Sequence, residues 1–269
     1  EKIKTIKKGE GYWFYNASNK YDYIPKEINR SIAIRFLNKA TFGADEKSIK
    51  ELQTKGVVNW LNEQLNKPLT KNLYLTKTIE MAKELEPKEY NNSVEEYLKD
   101  NEIVFNKNVA SFMINRYRMS SWFDVALKSD DQLRQKTAYV LSQIVVESSD
   151  EAGFHRRDEA IARYFDILQE NAFKKYSDLL YNISISSSMG IYLTYNGNKK
   201  KYKNKAGVEV YPDENYGREV MQLFSIGLYQ LNMDGTPKKD GNGSLIPTYT
   251  QTDVNELSRV FTGWDLKRN

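Results

Sequence analysis

Six side chains have types and spacing that could carry chemistry: Arg134, Asp213, Glu214, Asn215, Arg218 and Glu219. Carboxylates beside arginines can take up a proton and stabilise a developing negative charge, the pairing that hydrolytic chemistry uses. Two of the six stand in unexpected company. On a helical wheel Glu219 projects between Leu223 and Ile226, inside an arc that holds Tyr216, Val220, Leu223, Phe224, Gly227 and Leu231. Arg134 projects likewise between Leu141 and Val145, among Leu133, Val140 and Ile144. A charge inside an apolar face needs a partner, because stranding it costs several kcal/mol. Arg134 and Glu219 are therefore each expected to meet an opposite charge, conceivably each other. A buried ion pair of this kind serves structure as readily as catalysis.

The same acidic group does not read as a metal centre. Glu214 and Glu219 point about 140° apart around a helix and cannot face one cation together. Asp213 is expected to serve as an N-cap. The run from Asp240 to Leu245 echoes part of a calcium loop, but Lys238 and Tyr249 occupy the positions where carboxylates are needed. With no cysteine and a single histidine, His155, thiolate chemistry and two-histidine zinc motifs are excluded, and neither cofactor nor metal is expected. His155 lies beside Arg156 and Arg157, which disfavour its protonated form. The serines at 184 and 186–188 have no base in view, and neither a phosphate-cradling glycine loop nor a nucleophile elbow occurs.

Two stretches suggest contact with a partner. An N-terminal arm carries four early lysines and then Tyr12, Trp13, Phe14 and Tyr15; such rings can stack on sugars or pack onto the core. Lys199, Lys200, Lys201 and Lys203, with Tyr202 between them, stand on a predicted hairpin and can meet an anionic surface or water. The net charge of +4 over 269 residues, with no nucleic-acid motif, argues against DNA or RNA.

The elements that must position these residues are helical. The pattern predicts helices over 27–41, 46–55, 57–67, 71–86, 93–99, 102–127, 131–148, 157–171, 175–184 and from Asp213 onward. Alternation at 208–211 and the Asp-Gly and Asn-Gly steps of 231–249 predict small hairpins. The reading is mainly α: an extended aromatic arm over 1–25, then a multi-helix globular domain over 26–269 with one or two β-hairpin excursions, the N-terminal part of a longer chain. No apolar run suggests a membrane span.

Beyond these patterns, several ordered stretches resemble one family. They are Arg35 to Gly43, Leu133-Arg134-Gln135-Lys136, Asn171-Ala172-Phe173, Met189-Gly190, Asp213 to Phe224, and Tyr249-Thr250-Gln251 through Thr262-Gly263-Trp264. Together they are similar to the N-terminal part of the bacterial "domain of unknown function 1800" family. The resemblance implies a helical bacterial protein placed in the periplasm or outside the cell, and names no reaction; the sequence leaves a cytoplasmic location open as well. The family pattern has a His-Pro pair before the Met-Gly step, where this chain has Ser186-Ser187-Ser188. Two functions follow as expectations: a non-enzymatic envelope-associated or secreted component that binds a protein partner or builds an assembly, or a hydrolase using buried carboxylates and arginines.

Overall fold

The computed structural model describes the backbone of residues 12–15, 21–24, 27–85, 109–148 and 158–265. The protein is mainly α. Two short antiparallel pairs accompany the helices: β1 (Tyr12–Tyr15) with β2 (Tyr21–Ile24), and β3 (Tyr202–Lys203) with β4 (Glu209–Val210). The chain divides into two compact units, residues 1–69 with 126–137, and residues 70–125 with 138–269.

The first unit is built on α1 (Arg30–Ala40), α2 (Glu46–Lys55) and α3 (Val57–Asn66). Each start is specified locally. Asn29 accepts the Ile32 N–H, and Asp45 and Ser48 form a reciprocal capping box. Gly56, at φ 74°, ends α2 and opens α3, a backbone state in which a side chain would be strained. Ala33, Leu37, Ile49, Leu52, Val57 and Trp60 fill the core, with the Phe36 ring edge-on to Trp60 at 5.4 Å. Two glutamines brace the turn that carries residues 129–133. Gln64 donates to the Asp130 carbonyl and accepts from the Leu133 N–H, while Gln132 donates to the Ala126 and Ser129 carbonyls and accepts from the Phe42 N–H.

The second unit contains α4 (Leu73–Leu85), all but the last turn of α5 (Val109–Lys128), the end of α6 (Gln132–Ser142), and α7 (Asp158–Asn171). It continues through α8 (Tyr176–Ser184), α9 (Ser187–Tyr192), α10 (Asn215–Gln222) and α11 (Gln251–Val260). Helix α7 organises it. The fully buried Asp166 accepts the Tyr74 and Leu75 N–H groups at 2.8 and 3.1 Å, satisfying orphan donors at the start of α4. Burial still raises its pKa to about 6, against those two hydrogen bonds. Tyr164, Leu168, Leu179, Ile183, Met189 and Tyr216 make the core. At Gly217 an added Cβ would lie 2.8 Å from the Ser258 hydroxyl, so this glycine sets how closely α10 approaches α11.

Within the described residues most predicted helices stand within a few residues of their expected ends; the helix expected over 93–99 lies outside those residues. The expectation over 131–148 is too long: α6 stops at Ser142. Ile144, Val145 and Val146 are β-branched, and the Val145 carbonyl is taken by the Tyr164 hydroxyl instead of by a helical N–H. Helix α9 was not anticipated; Ser186 caps it by accepting the Met189 N–H.

Residues 227–249 form a small outcrop of three segments. The Gln230 N–H donates to the Ile246 carbonyl, the Ile246 N–H to the Lys238 carbonyl, and the Lys238 N–H to the Gln230 carbonyl, closing a ring of backbone bonds at 2.9, 3.1 and 2.7 Å. Its two turns are held by carboxylates: Asp234 accepts the Thr236 N–H, and Asp240 accepts those of Asn242 and Ser244.

Candidate functional site

Arg134 is buried, and its partner is local. Its Nε lies 3.1 Å from Asp131, one helical turn back, and a terminal nitrogen donates to the Lys67 carbonyl. Asp131 also receives Gln135 at 3.1 and 3.2 Å and the Ser129 hydroxyl. The opposite charge expected for Arg134 is thus supplied by Asp131. Arg134 sits in the first unit, in a network that pins a turn. Val140 and Ile144, expected beside it in an apolar face, are exposed.

The acidic stretch is organised differently from its expectation as well. The N-cap of α10 is Glu214; Asp213 sits one residue earlier and accepts the Asn215 N–H. Glu214 binds Arg218 and Gln251, both at 2.8 Å, tying α10 to α11 on a half-exposed surface. The Asn215 amide donates to the Thr194 hydroxyl at 2.9 Å, holding a β-branched residue at φ 61°. Glu219 is half-buried, and its Oε2 has no hydrogen-bond partner. Within the second unit, Asp213, Glu214, Asn215 and Arg218 thus serve turn and inter-element contacts, and Glu219 stands among them with its Oε2 unsatisfied. Leu223 and Ile226, placed by the wheel on a buried face, are exposed because α10 ends at Gln222.

In the lysine hairpin, Lys201 pairs with Glu209 at 2.7 Å and lies 4.8 Å from the Tyr211 ring centre; Lys199 lies 5.8 Å from that of Tyr202. Lys200 and Lys203 are exposed. The backbone of Tyr12, Trp13 and Tyr15 lies in β1; their side chains, and His155, fall outside the described residues.

The strongest chemical anomaly is Glu147, in the turn after α6. Both carboxylate oxygens are enclosed and neither has a hydrogen-bond partner. Burial pushes its pKa up to about 8. The Ser188 hydroxyl and the Arg118 guanidinium pull it down and do not prevail. Burial raises the pKa of the Tyr164 and Tyr195 phenols, and the charge of Glu147 adds to both shifts. Tyr195 donates to the Ser184 carbonyl at 2.7 Å, and Ser184 and Tyr216 share a hydrogen bond at 2.6 Å. Ser188 and Tyr164 also line a cleft of about 270 Å³ with Arg163, Asn182, Ser186 and Ser187. The serine run therefore has a carboxyl group beside it, which the sequence reading missed. The only available signal was a lone Glu closing the apolar run Ile144-Val145-Val146. A carboxyl that titrates near pH 8 is suited to giving and taking a proton at neutral pH.

No group of three or more histidines and carboxylates suited to a metal ion occurs among the described residues. No described helix is long and apolar enough to cross a membrane. One family, described as "Protein of unknown function (DUF1800)", matches residues 35–269. No curated protein and no solved structure matches the chain.

Proposed function

The chain belongs to the DUF1800 family, and on that premise we propose that it works as a binding or assembly component of the periplasm or cell exterior, docking another protein through the region that follows α10. The observation that carries this reading is the exposure of large apolar side chains within one short stretch. Leu223, Ile226 and Leu231 are 58%, 54% and 55% exposed, and Met233 is fully so. Leu228, Tyr229 and Leu245 are exposed in the same outcrop. Single exposed aliphatics are ordinary, but such a concentration marks interaction surfaces. Residues 223–233 thus join the aromatic arm and the lysine hairpin as candidate contact surfaces. In the native cell, the tagged wild-type chain is expected in a stoichiometric complex by size-exclusion and mass spectrometry. The double variant Leu231→Ser, Met233→Ser is expected to run as a free, folded monomer. A wild-type chain that is itself a lone monomer overturns the reading.

A second reading, hydrolysis, is favoured by Glu147 and not by the residues first suspected of it. Here Glu147 would take the proton of the Ser188 hydroxyl as that oxygen attacks an ester carbonyl and return it to the alcohol that leaves as the ester C–O bond breaks; water would then hydrolyse the acyl-serine, restoring the hydroxyl and freeing the acid. Glu147→Gln is expected to abolish turnover in an ester-substrate screen while the fold persists; activity that survives it removes this reading.

A further inference from the structure

The β3–β4 hairpin carries the whole charge imbalance of the chain. Residues 199–211 hold five lysines (Lys199, Lys200, Lys201, Lys203 and Lys205) against one glutamate, Glu209, a net of +4 that equals the formal net charge of all 269 residues. Glu209 is already committed, to Lys201 at 2.7 Å and to the Tyr211 hydroxyl at 2.8 Å. Lys200, Lys203 and Lys205 are exposed, and their ammonium groups make no ion pair or hydrogen bond with the described residues.

Lysines on a surface are ordinarily just solvated, so charge alone decides little. Two further observations single this hairpin out. It is held in shape at both ends. At the tip the Asn204 side chain accepts the Ala206 and Val208 N–H groups at 2.9 and 3.0 Å, the Asn204 N–H donates to the Val208 carbonyl, and Gly207 takes φ 78°. At the base, Asn198 and Asp213 exchange two hydrogen bonds at 2.9 and 3.3 Å. The hairpin also sets apolar side chains in the open among its lysines: Val208 is 59% exposed, Tyr211 60% and Tyr202 43%. Strands of two residues with side chains this open draw little stability from them.

Charge and apolar contact together select the partner. A soluble polyanion rewards the lysines and gains nothing from Val208. Single-stranded nucleic acid also needs open ring faces on which bases can stack, whereas Lys199 and Lys201 lie 5.8 and 4.8 Å from the ring centres of Tyr202 and Tyr211. An anionic bilayer rewards all three kinds of group: ammoniums meet phosphates, tyrosines lie at the headgroup boundary, and a valine beside the turn reaches the acyl edge. A turn already fixed by Asn204 lowers the ordering cost of that contact.

We propose that the β3–β4 hairpin docks the protein on an anionic phospholipid surface, with Lys200, Lys203 and Lys205 on lipid phosphates and Val208 and Tyr211 at the headgroup boundary. The contact lies on the bilayer without crossing it, and it depends neither on the outcrop that follows α10 nor on Glu147.

The test sediments the whole chain with vesicles of phosphatidylcholine alone, and of phosphatidylcholine with an equal part of phosphatidylglycerol. Binding is expected only to the second, and it is expected to fall as salt rises. Lys200→Gln combined with Lys203→Gln is expected to weaken it about thirtyfold, about fivefold for each lysine near such a surface. Val208→Ser is expected to weaken it about fivefold, by removing an apolar side chain from the boundary. All three positions are exposed, so the variants are expected to keep the wild-type unfolding midpoint. Leu231→Ser with Met233→Ser is expected to bind the vesicles like the wild type, which separates this contact from the protein-docking reading. Equal binding to both vesicles, binding to neither, or lysine variants that bind like the wild type each overturns the proposal. So does Val208→Ser binding as tightly as the wild type while dextran sulfate displaces both, since the hairpin would then be a polyanion contact.

Discussion

Arg134 and Glu147 are near neighbours in the chain and both are enclosed, yet the two units treat them in opposite ways. In the first unit the guanidinium lies against Asp131, which is itself held by Gln135 and Ser129, and the network closes on the Lys67 carbonyl. In the second unit neither oxygen of the carboxyl has a normal hydrogen bond, and Ser188 and Arg118 do not offset its burial, so it stays protonated until about pH 8. The difference separates two roles for an enclosed ionisable group. A charge kept by pairing has become part of the scaffold, while a group left unpaired and neutral remains available to exchange a proton.

Arg134→Met should break the paired side of this contrast most severely. It leaves Asp131 buried with less compensation, and a loss of about 3–5 kcal/mol in urea unfolding is expected. A loss below about 1 kcal/mol would show that Ser129 and Gln135 suffice to hold that carboxylate. The unpaired side is tested by pH. The unfolded Glu147 carboxyl ionises above about 4.5, while the folded one holds its proton to about 8, so between these values the folded state binds more protons. Stability from this group is therefore complete below pH 4.5 and falls as pH rises to 8, by about 4–5 kcal/mol. Glu147→Gln should flatten that part of the wild-type profile, measured as unfolding midpoint against pH; an unchanged slope would refute the assignment. Glu219 sharpens the contrast from between the two cases, since it is half-buried with one unsatisfied oxygen. Glu219→Gln is expected to shift stability by less than about 0.5 kcal/mol, as for a surface position.

The helical frame was legible because its signals are local. Asp45 with Ser48 announces α2, Gly56 separates α2 from α3, and the spacing of Leu37, Leu52 and Trp60 marks their inner faces. The family resemblance was equally legible, since its stretches run in order along most of the chain. Partnerships were not. A helical wheel shows that Arg134 points into apolar company, but not that a residue one turn earlier waits for it. It also extends past the true end of α10 and so buries Leu223 and Ile226 on paper. Glu147 was missed for the converse reason: nothing near it in sequence is unusual, and its isolation arises only when Tyr164, Ser188 and Arg118, all distant along the chain, close around it.

The closed ring of backbone bonds joining Gln230, Lys238 and Ile246 has a consequence for how the outcrop can be recognised. Each of its three segments is already paired with the other two, and Pro237 and Pro247 stand at the alternate positions, where an N–H would face outward. An incoming strand meets a proline on two of the three segments, which interrupts the row of donors it would need and so opposes templating by neighbours. Whatever settles on Leu231 and Met233 must read their shape, not add a strand to the sheet.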